Sequence, residues 1–240
     1  MARSFMNDYL QAGTFTFVPA VGAATRFGAL DVDGAVNLID TNLALFTASA
    51  YLREVKIFCV NRTGNMASVR VAHIDGAIGA INNADYIFYD VQLLPYETKV
   101  IDVDGMISAD TILVRSDIID VTFKADGQTL STDYGYRRLA ATTVSANTNT
   151  LLYTTIGPVE NITIVACNKD TDNPSYVRIA GIDDTLIGSW ADEDNIIYDD
   201  VLLPGESKTY NLEIDMPVGN TVGVRASDAD TNFIAYGRIQ

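Results

Sequence analysis

Side chains that carry most enzyme chemistry are scarce in this chain: one histidine, two cysteines and one tryptophan in 240 residues. His73, the sole imidazole, follows the alternating stretch Val69-Arg70-Val71-Ala72. No nucleophile-elbow motif accompanies it, so a Ser-His-Asp arrangement has no second member to build on. Cys59 and Cys167 lie inside apolar runs, which suits buried thiols rather than a disulfide framework. Acids are plentiful and paired: Asp31 with Asp33, Asp102 with Asp104, Asp170 with Asp172, Asp228 with Asp230. Clustered loop carboxylates are calcium chemistry, and a D-x-D-G fragment ends at both Gly34 and Gly105. Neither continues to the distal Glu of a calcium loop, so the acids are expected to be solvated loop and turn residues, with no metal and no cofactor. A glycosidase dyad is equally unsupported, because the acids fall in unrelated loops. Arg70, Arg178 and Arg225 sit between apolar neighbours and Arg115 follows Val114, so that alternation turns each away from the core. Their expected role is structural, as cross-strand ion pairs with acids such as Asp90 and Asp199.

The elements that must position these residues are read from an internal repeat. Leu45-Phe46-Thr47 matches Leu152-Tyr153-Thr154, Val69-Arg70-Val71-Ala72 matches Val177-Arg178-Ile179-Ala180, and Leu93-Leu94-Pro95 with Glu97 matches Leu202-Leu203-Pro204 with Glu206. The offset grows from 107 (Leu45 to Leu152) to 110 (Val114 to Val224), by single insertions between blocks, where loops tolerate them. Each copy reads as β. Residues 55–60 alternate with period two, and further short β-branched runs are separated by Gly, Asn and Asp clusters. The expectation is an all-β protein: two tandem homologous antiparallel β-sandwich domains, Ig-like or jelly-roll-like, at residues 15–130 and 131–240. An extended N-terminal arm at 1–14 precedes them. Tyr136-Arg137-Arg138-Leu139 precedes the second copy much as Thr25-Arg26-Phe27-Gly28 precedes the first.

Charge and hydropathy exclude broad classes. A formal charge of −15 repels phosphate and argues against nucleic-acid binding. With 48% apolar residues the chain can bury a core. No apolar run reaches the length of a membrane span, and the start has no signal-peptide core, so a soluble product made in the cytoplasm is expected, with no membrane partner. Asn61-Arg62-Thr63 and Asn161-Ile162-Thr163 match the glycosylation triplet and, without a secretion signal, are expected as chance matches.

Both faces of one strand are apolar in each copy. Val55, Ile57 and Cys59 lie on one face and Phe58 and Val60 on the other; Val165 and Cys167 take the second face in the other copy. A sandwich strand ordinarily keeps its outer face polar, so Phe58, Val60, Val165 and Cys167 are candidate assembly contacts, covered by the sister domain, the arm or another subunit. Phe5, Met6, Tyr9 and Leu10 make the arm apolar enough to dock as well.

The segments Asn147-Thr148-Asn149-Thr150-Leu151-Leu152-Tyr153-Thr154, Val165-Ala166-Cys167-Asn168-Lys169 and Tyr176-Val177-Arg178-Ile179-Ala180 resemble the small Ig-like β-sandwich proteins of tailed bacteriophage virions. The first copy keeps Asn61-Arg62, Val69-Arg70-Val71-Ala72 and Tyr89-Asp90, with a degraded start at residues 40–47. The resemblance implies a non-enzymatic virion structural protein of the capsid, neck, tail or baseplate, assembled in the host cytoplasm. Its expected partners are itself, as a trimer or other homo-oligomer, and other virion proteins. A three-fold assembly of a two-domain chain would present six similar units. The alternative is a glycan-binding module of a phage fibre or baseplate, using aromatics such as Trp190, Tyr134 and Tyr136.

Overall fold

A computed structural model describes residues 24–32, 42–75, 81–130, 135–182, 190–212 and 214–239. The N-terminal arm, with Phe5, Met6, Tyr9 and Leu10, lies outside the described residues, as does Tyr134.

The strands are β1 (Ala24–Val32), β2 (Leu43–Thr47), β3 (Tyr51–Asn61), β4 (Ala67–Ile74), β5 (Tyr86–Leu93), β6 (Thr98–Met106), β7 (Thr111–Ser116) and β8 (Val121–Leu130). A second series follows: β9 (Tyr136–Thr143), β10 (Thr150–Thr154), β11 (Val159–Asn168), β12 (Ser175–Ile182), β13 (Asn195–Leu202), β14 (Ser207–Asn211), β15 (Thr221–Ala226) and β16 (Thr231–Ile239). Short 3-10 turns at Asn83–Asp85 and Asp192–Asp194 lead into β5 and β13. The first eight strands form two four-stranded antiparallel sheets, ordered β1-β8-β3-β6 and β2-β7-β4-β5. The second eight repeat that order as β9-β16-β11-β14 and β10-β15-β12-β13. Four strands facing four in this order make a jelly roll, the eight-stranded member of the two sandwich types left open by the sequence.

Alternation is the cause of the layering. Along β8, Val121, Phe123, Ala125, Gly127 and Thr129 are buried while Thr122, Lys124, Asp126 and Gln128 turn outward. Val55, Ile57 and Cys59 of β3 meet Val69, Val71, Val91 and Leu93 of the facing sheet in one core. Ile162, Ile164 and Ala166 of β11 meet Val177, Ile179 and Val224 in the other.

The two sandwiches agree in register as well as order. Val60 opposes Thr122 and Thr98 as Cys167 opposes Asn232 and Ser207; Phe58 opposes Lys124 and Val100 as Val165 opposes Ile234 and Thr209. Their irregularities coincide too. Glu54 and Asn161 have φ of +52° and +53° at matching register shifts, and Asp90 and Asp199 have +50° and +49°. Each is an extra residue that bends its strand.

The recurring Leu-Leu-Pro-x-Glu block is a tight turn with Pro95 or Pro204 at its second position. Its third residue has φ of +61° at Tyr96 and +66° at Gly205, the left-handed value that suits glycine. Glu97 closes the turn by accepting from the Leu94 N–H at 2.6 Å, and Glu206 accepts from Leu203 at 2.7 Å. The preceding Asn anchors it. Asn61 donates to the carbonyls of Asn65 and Leu94, and Asn168 to those of Asn173 and Leu203. Asn61 is 1% exposed, a clip between loops rather than a glycosylation acceptor. One expectation needs correcting: Asp102 to Gly105 lie within β6 rather than in a loop, because Asp102 faces outward to pair with Lys56 at 2.6 Å.

Candidate functional site

The four arginines divide into two matching pairs. Arg70 and Arg115 are register neighbours across β4 and β7, and Arg178 and Arg225 across β12 and β15. Arg70 makes a two-pronged pair with Asp90, both distances 2.6 Å, and Arg178 does so with Asp199 at 2.6 and 3.0 Å. Each guanidinium also lies over a ring, Tyr89 at 3.9 Å and Tyr198 at 4.0 Å. The bulge at Asp90 or Asp199 aims the carboxylate back along the sheet to meet the arginine. Hydrogen bonds from Arg178 hold the Asp199 carboxyl below the usual carboxylate range. Arg225 faces the same small recess as Arg178 and Asp199 without sharing the two-pronged geometry. These groups chiefly bind one another; the Ser68 hydroxyl donates to Asp90 at 3.3 Å, and Ser227 lines the recess that holds Arg178, Asp199 and Arg225.

Deeper chemistry lies where the two sandwiches meet. The outer face of the β9-β16-β11-β14 sheet packs on the flank of the first sandwich, formed by β5, β6 and the Asn83–Asp85 turn. Val165, Ile234 and Tyr236 from that face join the first sandwich's hydrophobic core. Cys167 lies beneath them with no exposure, and burial pushes its thiol up to about 11. The sister sandwich is therefore what covers the second apolar face of β11. Phe58 and Val60, at the matching positions of β3, are half-buried.

Polar groups lock this junction. Arg138 on β9 donates through Nη2 to Asp85 Oδ1 at 2.7 Å and through Nη1 to the His73 carbonyl; the Arg138 and Asp85 side chains are only 9% and 7% exposed. Asp85 is held for this by the Asn82 N–H, which donates to its other oxygen at 2.7 Å. His73 has no solvent access: Nδ1 meets the Tyr236 hydroxyl at 2.9 Å and Nε2 faces Asp110 at 3.1 Å. Asn232 donates to the carbonyls of Ala84 and Tyr86, and Ser207 to that of Ile87 at 2.6 Å. The lone histidine is thus a fastener between halves, sealed from any substrate. Arg138, Asp85, Asn232 and Tyr236 were not singled out by sequence. The one available signal was for Arg138, which stands in the lead-in segment Tyr136-Arg137-Arg138-Leu139 where the first copy has Thr25-Arg26-Phe27-Gly28.

Beside the junction runs a cleft of about 610 Å³, lined by Lys56, Phe88, Val100, Asp102, Thr209 and Asn211 among others. Trp190 and Tyr136 do not share a platform. Trp190 packs over Gly223 of β15 and donates to Asn195, whereas Tyr136 packs over Gly105 and bonds Thr163 at the junction. Among the described residues no group of three or more His, Cys, Asp or Glu is arranged to hold a metal, and no helix is long and apolar enough to cross a membrane.

Comparison with known proteins finds no matching family model and no matching curated protein. Solved structures with a similar course include the STIV MCP, at 8% identity and a TM-score of 0.36 over 89% of this chain and 95% of that one. A chain of the Sulfolobus Turreted Icosahedral Virus structure gives 8% identity and 0.39 over 90% and 89%. A fucolectin from Morone saxatilis serum gives 11% and 0.26 over 90% and 96%.

Proposed function

We propose that this chain is a non-enzymatic structural protein of a virion, of the tailed-bacteriophage kind its strand motifs resemble. In this reading it arose by tandem duplication of one jelly roll, with domains at residues 15–130 and 131–240 behind an arm at 1–14. It assembles as a homo-oligomer, with a trimer presenting six similar sandwiches, and joins other virion proteins through apolar faces and sheet edges.

The observation that carries the reading is the unequal fate of one repeated surface. The outer face of the second sandwich, with Val165, Cys167 and Ile234, is buried against the first sandwich of the same chain. Its counterpart on the first is only partly covered among the described residues, with Phe58 and Val60 half-buried and Val100 46% exposed. Apolar groups on an open sheet face favour association, and the acidic remainder keeps the chain dispersed until it docks. Native mass spectrometry of the purified protein tests this, with three copies as the expected mass. A chain that stays monomeric at its highest soluble concentration overturns the reading, as does its absence from purified particles of the virus that encodes it.

A second reading rests on the cleft of about 610 Å³, a size that suits a small ligand, with Phe88 available for stacking and Lys56, Asp102 and Asn211 for hydroxyl groups. It makes the protein a glycan-binding module. Glycan-array binding abolished by Asp102→Ala is the expected outcome; an array without hits removes it.

A further inference from the structure

Within one chain the junction has a plug and a socket. The plug is the Asn83–Asp85 turn with Tyr86 and Ile87; the socket is the sheet face carrying Arg138, Val165, Cys167, Asn232 and Ile234. The shared register gives each a counterpart in the other half. Asp192–Asp194, Asn195 and Ile196 stand at the plug positions of the second sandwich. Arg26, Phe58, Val60, Thr122 and Lys124 stand at the socket positions of the first, with Arg26 opposite Asp126 as Arg138 is opposite Tyr236.

Among the described residues both counterparts are less covered than the joined surfaces, with Phe58, Val60, Thr122 and Lys124 half-buried. Ile87 is 2% exposed in the occupied plug, and Ile196 is 41% exposed in the free one. Asp85 is buried, whereas Asp194 is half-buried, although its carboxylate is oriented the same way, accepting from the Ala191 N–H at 2.8 Å. The free surfaces also differ from the joined ones in a complementary sense. On the plug, Asn83 and Ala84 are replaced by Asp192 and Glu193; on the socket, Ile234 is replaced by Lys124, whose amine pairs with Asp126 and lies 5.2 Å from the Phe58 ring. The plug gains negative charge, the socket keeps an arginine position at Arg26 and gains the Lys124–Asp126 ion pair, and apolar residues are retained on both, Ile196 on the plug and Phe58 and Val60 on the socket.

We propose that the junction inside the chain is repeated between chains: the Asp192–Asp194 turn and β13 of one copy seat on the outer face of β1, β8 and β3 of a second copy. The inference builds on the assembly reading and names its interface. Asp194 takes the place of Asp85 at the β1 position held by Arg26, and Ile196 the place of Ile87. Because the two patches are different surfaces, the contact is head-to-tail, and a ring closes when the rotation per copy permits.

The hydrogen bond from Ser207 to the Ile87 carbonyl supplies a cross-linking site, since Thr98 and Ile196 hold the matching positions. In the full chain carrying Thr98→Cys and Ile196→Cys, mild oxidation is expected to link neighbouring copies into a ladder ending at the ring size. Native Cys59 and Cys167 are buried and do not compete. Ile196→Asp and Arg26→Glu are each expected to weaken association at least about tenfold in sedimentation, while leaving the thermal midpoint of the monomer unchanged. Asp194→Arg combined with Arg26→Glu restores the wild-type mass. If the wild-type chain is an oligomer that neither single variant weakens and the double-cysteine chain does not cross-link, this interface is wrong and the assembly reading stands. A monomeric wild type overturns both.

Discussion

Strands β3 and β11 share a register, a bulge and an inward face of small apolar residues, yet their outward faces meet different fates. Val165 and Cys167 are sealed beneath the first sandwich, while Phe58 and Val60 remain half open. The intramolecular contact has polished one copy: Asn232 supplies hydrogen bonds, Ile234 replaces a lysine position, and Arg138 meets Asp85 out of water. The other copy keeps Lys56, Lys124, Asp102 and Asp126 among its apolar residues. A permanently covered face discards charge, because burying an unpaired ion is costly. A face that is free before assembly retains it for solubility.

The sharpest way to break this comparison is one substitution at matching positions. Val165→Asp buries a carboxylate in the junction and is expected to cost more than about 4 kcal/mol in urea unfolding. Phe58→Asp should shift monomer stability by less than about 1 kcal/mol and act on association instead. Equal losses would erase the distinction between the faces. Next in size, Arg138→Ala strands the Asp85 carboxylate and is expected to cost about 3–5 kcal/mol by the same measurement. Asn168→Ala removes the clip to Asn173 and Leu203 and should cost about 1–3 kcal/mol, with Asn61→Ala matching it if the loops of the two halves are equivalent.

The smallest effect is alkaline. Burial pushes the Cys59 thiol up to about 12 and Cys167 to about 11, from 9.0 in both cases. Unfolded thiols ionise first, so the stabilisation is complete below pH 9, falls as pH rises through the window between these values, and is lost above the folded values. At pH 10 each thiol should lower stability by about 1 kcal/mol, and Cys→Ala variants should flatten that slope in pH-dependent unfolding.

Much of the fold was legible because its determinants are local. Alternating β-branched runs mark the strands directly, although residues 55–60 are apolar on both faces and leave the inward face to be decided by the fold. The ion pairs were legible because Arg70 and Asp90, like Arg178 and Asp199, belong to adjacent strands and recur together. The junction was not legible. His73 and Tyr236 are 163 residues apart, and Asn232 meets the Tyr86 carbonyl across 146. No pattern within either strand anticipates such contacts, and no motif accompanies His73 to point to its partners. The D-x-D-G fragment at residues 102–105 misled for a related reason: a strand that turns Asp102 toward Lys56 on its outer face holds acids as readily as a loop does.

The sequence by itself determined two all-β sandwiches, the turns that close them, and the scarcity of groups that could do chemistry. Backbone alternation and turn preference act over a few residues and read the same in both halves. Only the tertiary structure decided which of two matching apolar faces is sealed and which stays open. That choice depends on how one rigid sandwich docks on another, through side chains brought together from distant parts of the chain.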